Sequence, residues 1–224
     1  MLTSVGAILL TLALAQTKVM VVDTGFVPTE YTTHKVTSFV ATDTFKGVGH
    51  GTAVTHTLLY GDIIGGKPTS QVCKEVEVEI CGYTTYYAPD VLISCLDRAI
   101  EKKFHYINMS IGGGPFTTQA ERKAFLNAAD KGITIVIAAG NGTLDLDKSC
   151  IYPQCLAKEH KNIIAVGSND GTYTTGSFVK KGEAWAYAPA STGEVMRFAG
   201  TSLAAPKYLN RLLQDKCLNN QGGK

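Results

Sequence analysis

Short apolar segments that alternate with helical patterns constrain the fold of this chain most strongly. The segments 18–22, 133–138 and 163–166 are rich in Val, Ile and Ala, and stretches with helical periodicity separate them. Strands that are apolar along most of their length are buried on both faces, as in a parallel sheet covered by helices. The 224 residues, 45% of them hydrophobic, suffice for one well-packed domain. The sequence therefore predicts a single α/β domain with a mainly parallel central sheet flanked by helices on both faces.

Local signals predict further elements between these segments. Asp90 is a candidate N-cap for a helix, and Thr118 with Glu121 forms a capping box for another. Apolar and charged residues alternate over 76–80, which predicts an exposed or edge strand. The segment 106–111 predicts one more strand of the central sheet.

Three polar residues lie at the ends of predicted strands. Asp23 follows the segment 18–22, Ser110 lies near the end of 106–111, and Asn141 follows 133–138. In parallel α/β sheets, ligands bind beyond the carboxyl ends of the strands. We therefore expect these three residues to share one site.

Four glycine-rich motifs carry an acid, a base, an amide and a nucleophile, in that order. A serine hydroxyl becomes a nucleophile when an imidazole accepts its proton, and a carboxylate on the other ring nitrogen orients that imidazole. Asp23, His50 and Ser202 are therefore the candidate catalytic residues, and Asn141 with the backbone N–H of Ser202 is the candidate oxyanion hole. The motifs are Val22-Asp23-Thr24-Gly25, Gly49-His50-Gly51-Thr52, Ala138-Ala139-Gly140-Asn141 and Gly200-Thr201-Ser202-Leu203-Ala204-Ala205-Pro206.

These motifs, with a fifth block at 106–113, make the chain resemble the subtilisin-family (subtilase) serine peptidases. The resemblance implies an endopeptidase that hydrolyses peptide bonds through an Asp-His-Ser triad and an acyl-enzyme. The alternative is a catalytically idle subtilase scaffold that binds extended peptides or a partner protein. A serine hydrolase of the Gly-x-Ser-x-Gly type is disfavoured, because the second glycine of that motif is replaced by Ala204.

The resemblance also implies where a peptide substrate would bind. An extended peptide would lie between two backbone edges, and its main-chain hydrogen bonds would supply affinity that does not depend on sequence. The first specificity pocket would have Ile151 at its floor, and this branched side chain should favour small or medium apolar residues before the scissile bond. The implied substrate-binding residues are Gly82, Tyr83 and the adjoining Thr84 on one edge, Ser110, Ile111 and Gly112 on the other, and Ala138, Ala139, Gly140 and Ile151 around the pocket.

The chain departs from the usual pattern of the family at several places. Asp23 would be the eighth residue of a chain that begins at residue 16, so we expect a compact catalytic domain without a propeptide. Beyond the serine, Pro206 is expected in the first turn of a helix, and Lys207 is interpreted as neutral variation. His56 is interpreted as a packing or surface residue that takes no part in catalysis.

The first fifteen residues have the features of a signal peptide. An apolar run over 5–14 ends in Ala13-Leu14-Ala15, which suits cleavage before Gln16. No Lys or Arg precedes the run, which leaves an N-terminal strand or helix of the domain as the alternative. The prediction is a signal peptide at 1–15, a subtilase-like catalytic domain at 16–224, and a secreted or extracytoplasmic protein.

Six cysteines predict disulfide bonds. Their even number, without the spacing of a zinc site, favours disulfides over reduced core thiols in a cytosolic protein. Fifteen pairings are possible for six cysteines. Short separations favour Cys73 with Cys81 and Cys150 with Cys155, which would leave Cys95 with Cys217.

Charge and composition limit the other partners. A net charge of +2 gives no basis for binding nucleic acid or an anionic membrane. We expect peptide or protein substrates, a monomer, no membrane contact after removal of the signal, and no cofactor. Structural calcium would need an oxygen-rich loop. Asp145 and Asp147 are the candidates for one and are interpreted as an ordinary surface loop, so no metal site is predicted.

Overall fold

The computed structural model describes residues 16–39, 49–83 and 88–221. The predicted signal peptide lies outside these residues. Within them, no helix is both long enough and apolar enough to span a bilayer. The elements of the described part are, in chain order, β1 (Thr17–Asp23), β2 (Val36–Phe39), α1 (His50–Tyr60), β3 (Ile63–Ile64), β4 (Lys67–Pro68), β5 (Val76–Gly82), α2 (Pro89–Glu101), β6 (Tyr106–Met109), α3 (Gln119–Asp130), β7 (Thr134–Ala138), a 3₁₀ helix (Gln154–Lys158), β8 (Ile163–Ser168), β9 (Lys180–Gly182), β10 (Trp185–Pro189), β11 (Val195–Ala199) and α4 (Thr201–Gln221).

The central sheet has seven strands in the order β2-β5-β1-β6-β7-β8-β9. All six neighbouring pairs are parallel. Two antiparallel pairs, β3 with β4 and β10 with β11, lie outside it. The predicted α/β domain with a mainly parallel sheet is confirmed.

Each face of the sheet packs against two helices. Alternate residues of β1 face opposite sides, so Val19 and Val21 join one hydrophobic core while Met20 and Val22 join the other. This two-sided burial is the reason that the strand is apolar along most of its length. The first core includes Val54 and Leu58 of α1 and Leu209 and Leu213 of α4, and the second includes Leu92 and Leu96 of α2 and Phe125 and Ala128 of α3.

The prediction for β5 as an exposed or edge strand is wrong. β5 lies between β2 and β1, and the edge position belongs to β2, which the sequence did not predict. The charged side chains of β5 are matched by cations from neighbouring segments. Glu79 receives two hydrogen bonds from Arg98, at 2.6 and 2.9 Å, and Glu77 pairs with Lys35 at 2.6 Å. These ion pairs let alternating charges lie on an internal strand.

One of the two predicted helix starts is confirmed. Thr118 is the N-cap of α3, and its hydroxyl accepts a hydrogen bond from the backbone N–H of Glu121 at 3.1 Å. Asp90 is not an N-cap, because α2 begins one residue earlier with Pro89, whose fixed φ suits the first helical position. Asp90 lies in the first turn instead, where a negative charge interacts favourably with the helix dipole.

All six cysteines form disulfides, but only one of the favoured pairings is correct. The pairs are Cys73 with Cys217, Cys81 with Cys95, and Cys150 with Cys155. The fold overrides proximity in the sequence, because parallel β5 brings Cys81 against α2 and the last turns of α4 pack beside Cys73. The first of these bonds joins residues 144 positions apart, so it strongly restricts the unfolded chain.

Lys207 is a buried cation, so its interpretation as neutral variation is wrong. Lys207 is 6% exposed, and its ammonium group lies 2.8 Å from the carboxylate of Asp62 and 2.7 Å from that of Glu183. The same ammonium group lies 4.5 Å from the ring centroid of Trp185. We call these four residues the Lys207 cluster. It joins α4 to the end of α1 and to β10, because Asp62 also accepts a hydrogen bond from the backbone N–H of Tyr187 at 2.8 Å.

His56 is buried in α1 and is 1% exposed. Its Nε2 lies 3.1 Å from the hydroxyl of Thr29 and 3.3 Å from that of Thr32, and its ring packs between those of Phe26 and Tyr60. Burial lowers the pKa of His56 to about 4, because an imidazolium would lose its hydration there. The interpretation of His56 as a packing residue agrees with this position.

Acid should therefore weaken the fold through His56. The folded state favours the neutral ring. The contribution of this ring to the free energy of unfolding is therefore fully present above pH 6.5 and is lost as the pH falls towards 4. The lowered pKa corresponds to about 3 kcal/mol over that interval. We expect His56→Gln to lose less unfolding free energy than the wild type between pH 7 and pH 4, as measured by urea denaturation. Equal losses in the two proteins would contradict this prediction.

Candidate active site

A carboxylate and an imidazole meet at the end of β1. Asp23 is the last residue of the strand and is 0% exposed, and its Oδ1 accepts a hydrogen bond from Nδ1 of His50 at 2.8 Å. The backbone N–H of Thr24 donates to the same oxygen at 2.7 Å. His50 is the first residue of α1, and the next residue, Gly51, lies so close to the carbonyl of Gly25 that a Cβ there would collide with it. Glycine at this position therefore lets α1 begin beside the end of β1.

Two opposing effects act on the imidazole of His50. Burial alone would disfavour the imidazolium, but the charge of Asp23 and its hydrogen bond outweigh burial and raise the pKa of His50. The side chain is 39% exposed, so one side of the ring remains accessible. The pair can therefore accept a proton and stabilise the resulting cation.

Ser202 forms a reciprocal pair with Ser110 just beyond β6. The hydroxyl of Ser202 donates to the carbonyl of Ser110 at 3.2 Å, and the hydroxyl of Ser110 donates to the carbonyl of Ser202 at 2.8 Å. The side-chain amide of Asn108 donates to the hydroxyl of Ser110 at 2.9 Å. Both His50 and Ser202 are described, and no hydrogen bond joins them.

Pro206 explains why the carbonyl of Ser202 can accept this bond. α4 begins at Thr201, so Pro206 lies beyond the first helical turn, contrary to the prediction. In a helix, the carbonyl of Ser202 would accept from the backbone N–H four residues later, and proline has no N–H. Ser110 supplies the missing donor and ties the start of α4 to the end of β6.

Asn141 is held against the turn that carries Ser202. Its Oδ1 accepts from the backbone N–H of Thr201 at 2.8 Å and from the Thr201 hydroxyl at 3.0 Å. Gly200 has φ +125°, and a Cβ there would lie 2.9 Å from Nδ2 of Asn141, which only glycine avoids. With Oδ1 bound in this way, the Nδ2 group lies beside Gly200 and has two N–H groups to donate.

The sheet topology brings these groups together. β1 and β6 are neighbours, as are β6 and β7, so the Asp23–His50 pair, the Ser110–Ser202 pair and Asn141 follow three adjacent strands. Ser202 also lies in the first turn of α4, where backbone N–H groups have no acceptor within the helix. The arrangement contains an acid, a base, a hydroxyl and two candidate oxyanion donors.

Most of the expected pocket residues lie at or just beyond the ends of β6 and β7. Ile111 is half-buried and Gly112 is exposed, whereas Ala138 and Ala139 are buried. A Cβ at Gly140 would lie 3.4 Å from Cδ1 of Ile151. Ile151 therefore lies beside Gly140.

The other expected substrate edge is largely occupied by the protein itself. Gly82 ends β5, and the backbone N–H of Tyr83 donates to the carbonyl of Asp23 at 2.7 Å. The ring of Tyr83 is buried in the second core, and its hydroxyl accepts from the backbone N–H of Ala88 at 2.9 Å. Thr84 lies outside the described residues.

Sequence reasoning did not single out two residues of this region. Thr201 connects Asn141 to the backbone N–H of Gly140, which donates to its hydroxyl at 3.0 Å. Its position directly before Ser202 was the available signal. Gln154 is fully buried and donates to the carbonyl of Ala138 at 2.9 Å, and no motif marks it.

The described residues contain no group of three or more His, Cys, Asp or Glu side chains suited to a metal ion. Asp145 pairs with Lys148 at 3.1 Å and accepts from the backbone N–H of Asp147 at 3.0 Å. Asp147 accepts from the backbone N–H and the hydroxyl of Ser177, at 2.6 and 3.0 Å. Both carboxylates thus have partners within the loops.

Comparison with known proteins identifies the family. The model of the subtilase family matches residues 15–208. The chain belongs to the subtilase family. This places it among the subtilisin-like serine endopeptidases, whose substrates are peptides or proteins.

Known relatives of this subtilase agree with that assignment. Subtilisin DY from Bacillus licheniformis is 30% identical over 210 residues, which cover 86% of this chain and 73% of that protein. An extracellular serine proteinase from Thermus sp. is 30% identical over 173 residues, 70% of this chain and 38% of that longer protein. The protease domain of PatA has the same fold, with a TM-score of 0.73 at 18% identity over 93% of this chain and 82% of the domain.

Proposed function

We propose that this subtilase is a secreted serine endopeptidase in which Ser202 is the nucleophile, His50 the general base and Asp23 the residue that orients His50. The hydrogen bond of 2.8 Å between buried Asp23 and His50 is the observation that supports this most strongly, because it lies at the end of β1, the neighbour of the strand whose next residue, Ser110, binds Ser202. It fixes the ring so that Nδ1 carries the proton and Nε2 is free to accept one.

The proposed reaction begins with a change of hydrogen-bond partner at Ser202. In the resting state its hydroxyl donates to the carbonyl of Ser110, so it must turn to His50 before it can lose its proton. Attack on the substrate carbonyl then forms a tetrahedral oxyanion. Nδ2 of Asn141 and the backbone N–H of Ser202 would stabilise that oxyanion, and His50 would return the proton to the leaving amine. Water then attacks the carbonyl of the acyl-enzyme, and His50 accepts its proton and returns it to the hydroxyl of Ser202.

Hydrolysis of an unfolded protein such as reduced casein tests this proposal against an idle scaffold. The active enzyme should produce peptides and lose this activity in the presence of a serine-directed inhibitor. A scaffold would bind the same substrate without cleaving it.

Asn141→Ala tests the oxyanion hole. We expect kcat to fall by roughly 100- to 1,000-fold with little change in KM, because one donor to the transition state is lost. Gly142, exposed on the same loop, offers a control, and Gly142→Ala should retain most of the activity because no atom closer than 3.5 Å opposes its Cβ. An unchanged kcat in Asn141→Ala would remove Asn141 from the mechanism.

Secretion and substrate contacts complete the proposal. Three disulfides suit an oxidising compartment, and the Thermus relative is named as extracellular.

We propose that the chain acts as a monomer, without a cofactor, and that the substrate lies along two backbone edges. The residues proposed to line its path are Gly82, Tyr83, Ser110, Ile111, Gly112, Ala138, Ala139, Gly140 and Ile151.

A further inference from the structure

We propose that Gln154 closes the inner end of the first specificity pocket and restricts the residue before the scissile bond to small side chains. This inference rests on the proposed function, because it concerns the substrate of the same site. It assigns the role to a residue other than Ile151, which the sequence analysis placed at the floor.

The position of the pocket follows from the two groups that would hold the reacting carbonyl. Ser202 is hydrogen-bonded to Ser110, the first residue after β6. Asn141 lies three residues after the end of β7. A carbonyl attacked by Ser202 and stabilised by Asn141 must therefore lie between these two continuations. The side chain that precedes the scissile bond enters the gap between them.

That gap begins where β6 and β7 separate. The two strands pair in parallel as far as Met109 and Ile137, and no pair follows. Beyond this point β6 continues through Ser110 towards Gly113, and β7 continues through Ala138 towards Gly140. The inner end of the gap lies next to the last paired residues.

The side chain of Gln154 reaches both sides of the gap. Its Nε2 donates to the carbonyl of Ala138 at 2.9 Å, on the β7 side. On the β6 side, a Cβ at Gly113 would collide with Oε1 of Gln154 and would lie 3.1 Å from its Cδ. The residue is 0% exposed, so the space that it fills is not shared with solvent.

Two backbone hydrogen bonds, a disulfide and a 3₁₀ helix hold the backbone around Gln154 in place. Tyr152 and Gly114 exchange two hydrogen bonds, at 2.7 and 3.1 Å, which join this loop to the β6 continuation. The disulfide between Cys150 and Cys155 encloses the loop. Gln154 then begins the 3₁₀ helix, so its backbone is held in place, and the hydrogen bond to Ala138 keeps its side chain in the gap.

Ile151 has a different place in the same pocket. Its Cδ1 lies beside Gly140, so it narrows the pocket from the side of the β7 continuation. Removing Ile151 alone would widen the pocket without deepening it. We therefore expect Ile151→Gly to change the preference for aromatic residues less than a shorter side chain at position 154 does.

A peptide series that differs only before the scissile bond tests this proposal. The substrates are acetyl-Ala-Ala-Ala-X-aminomethylcoumarin with X as Ala, Leu or Phe, and the measurement is kcat/KM for each. We expect the wild type to prefer Ala over Phe by at least about 100-fold, the size of effect that a filled pocket produces. Gln154→Ala should reduce this ratio at least tenfold.

Two further variants separate closure of the pocket from other effects. Gln154→Met keeps the length of the side chain without the hydrogen bond to Ala138, and it should keep the preference for Ala. Gln154→Asn shortens the side chain by one methylene and keeps the amide, so it should raise the rate for Leu relative to Ala at least threefold. This variant decides the question if Gln154→Ala does not fold.

The outcomes distinguish this inference from the proposed function. Labelling by a small fluorophosphonate, which needs no side chain in the pocket, reports on Ser202 independently. A wild type that is labelled but cleaves the Phe substrate as fast as the Ala substrate overturns the role of Gln154 alone. Unchanged ratios in folded Gln154→Ala and Gln154→Asn also overturn it. A wild type that is neither labelled nor active overturns the proposed function together with this inference.

Discussion

Ser202→Ala is expected to reduce kcat for peptide hydrolysis by roughly 10⁶-fold, the loss typical when a triad nucleophile is removed. The substitution removes one hydroxyl and its hydrogen bond of 3.2 Å to Ser110, but it creates no buried charge and little empty space. The thermal midpoint should therefore stay close to that of the wild type. Steady-state kinetics and a thermal melt of the same preparations measure both quantities.

His50→Ala should be about as severe, and the double variant should be little worse than either single one. Ser202 and His50 would act as one unit, so the first substitution already removes most of the rate enhancement that the second could remove. His160 is a matched control, because it pairs with Asp130 at 3.2 Å away from the proposed site, and His160→Ala should retain activity. Additive losses in the double variant would show that the two residues act separately.

Lys207→Met is expected to lower the free energy of unfolding by about 3–5 kcal/mol, because it leaves the carboxylates of the Lys207 cluster without their cation. Methionine keeps the apolar length of the side chain, so the loss would report on charge more than on packing. Urea denaturation at pH 7 measures it.

Two comparisons sharpen this prediction. Lys148 also pairs with an aspartate, Asp145, but its side chain is 83% exposed, so Lys148→Met should leave the urea midpoint nearly unchanged. Adding Asp62→Asn to Lys207→Met should recover part of the loss, because it removes one uncompensated buried charge. Equal midpoints for the wild type and Lys207→Met would contradict the account of the cluster.

The fold could be predicted where burial leaves a mark on neighbouring residues. The strand β1 is buried on both faces and is therefore apolar along most of its length, and the capping box at Thr118 is a local contact. β2 has four residues, two of them exposed, so it left no such mark. Without β2, the alternating charges of β5 resembled an edge strand, and the ion pair between Glu79 and Arg98 that compensates them could not be inferred.

The candidate site shows the same division. Asp23, His50, Asn141 and Ser202 stand in short motifs that also contain glycines. Gly49, Gly140 and Gly200 have positive φ, which is a local requirement of the backbone, so the sequence marks these motifs. Contacts between distant segments carry no such mark.

Three features depended on such distant contacts. Gln154 donates a hydrogen bond to the carbonyl of Ala138 at the end of β7, and Lys207 pairs with Asp62, 145 positions away. Cys73 forms a disulfide with Cys217. Each of these partners is set by the packing of helices and loops on the finished sheet. The disulfide pairing was wrong for four of the six cysteines because proximity in the sequence does not report proximity across a parallel sheet.

The proposed mechanism requires the hydroxyl of Ser202 to be an activated nucleophile. Reaction with a fluorophosphonate, followed by mass spectrometry of the digested protein, tests it most directly, because the Ser202 oxygen would displace fluoride and form a stable phosphonyl ester. We predict one adduct, located on Ser202 in the wild type and absent from folded His50→Ala. A folded wild-type protein that carries no adduct, or carries it on another residue, would contradict the claim.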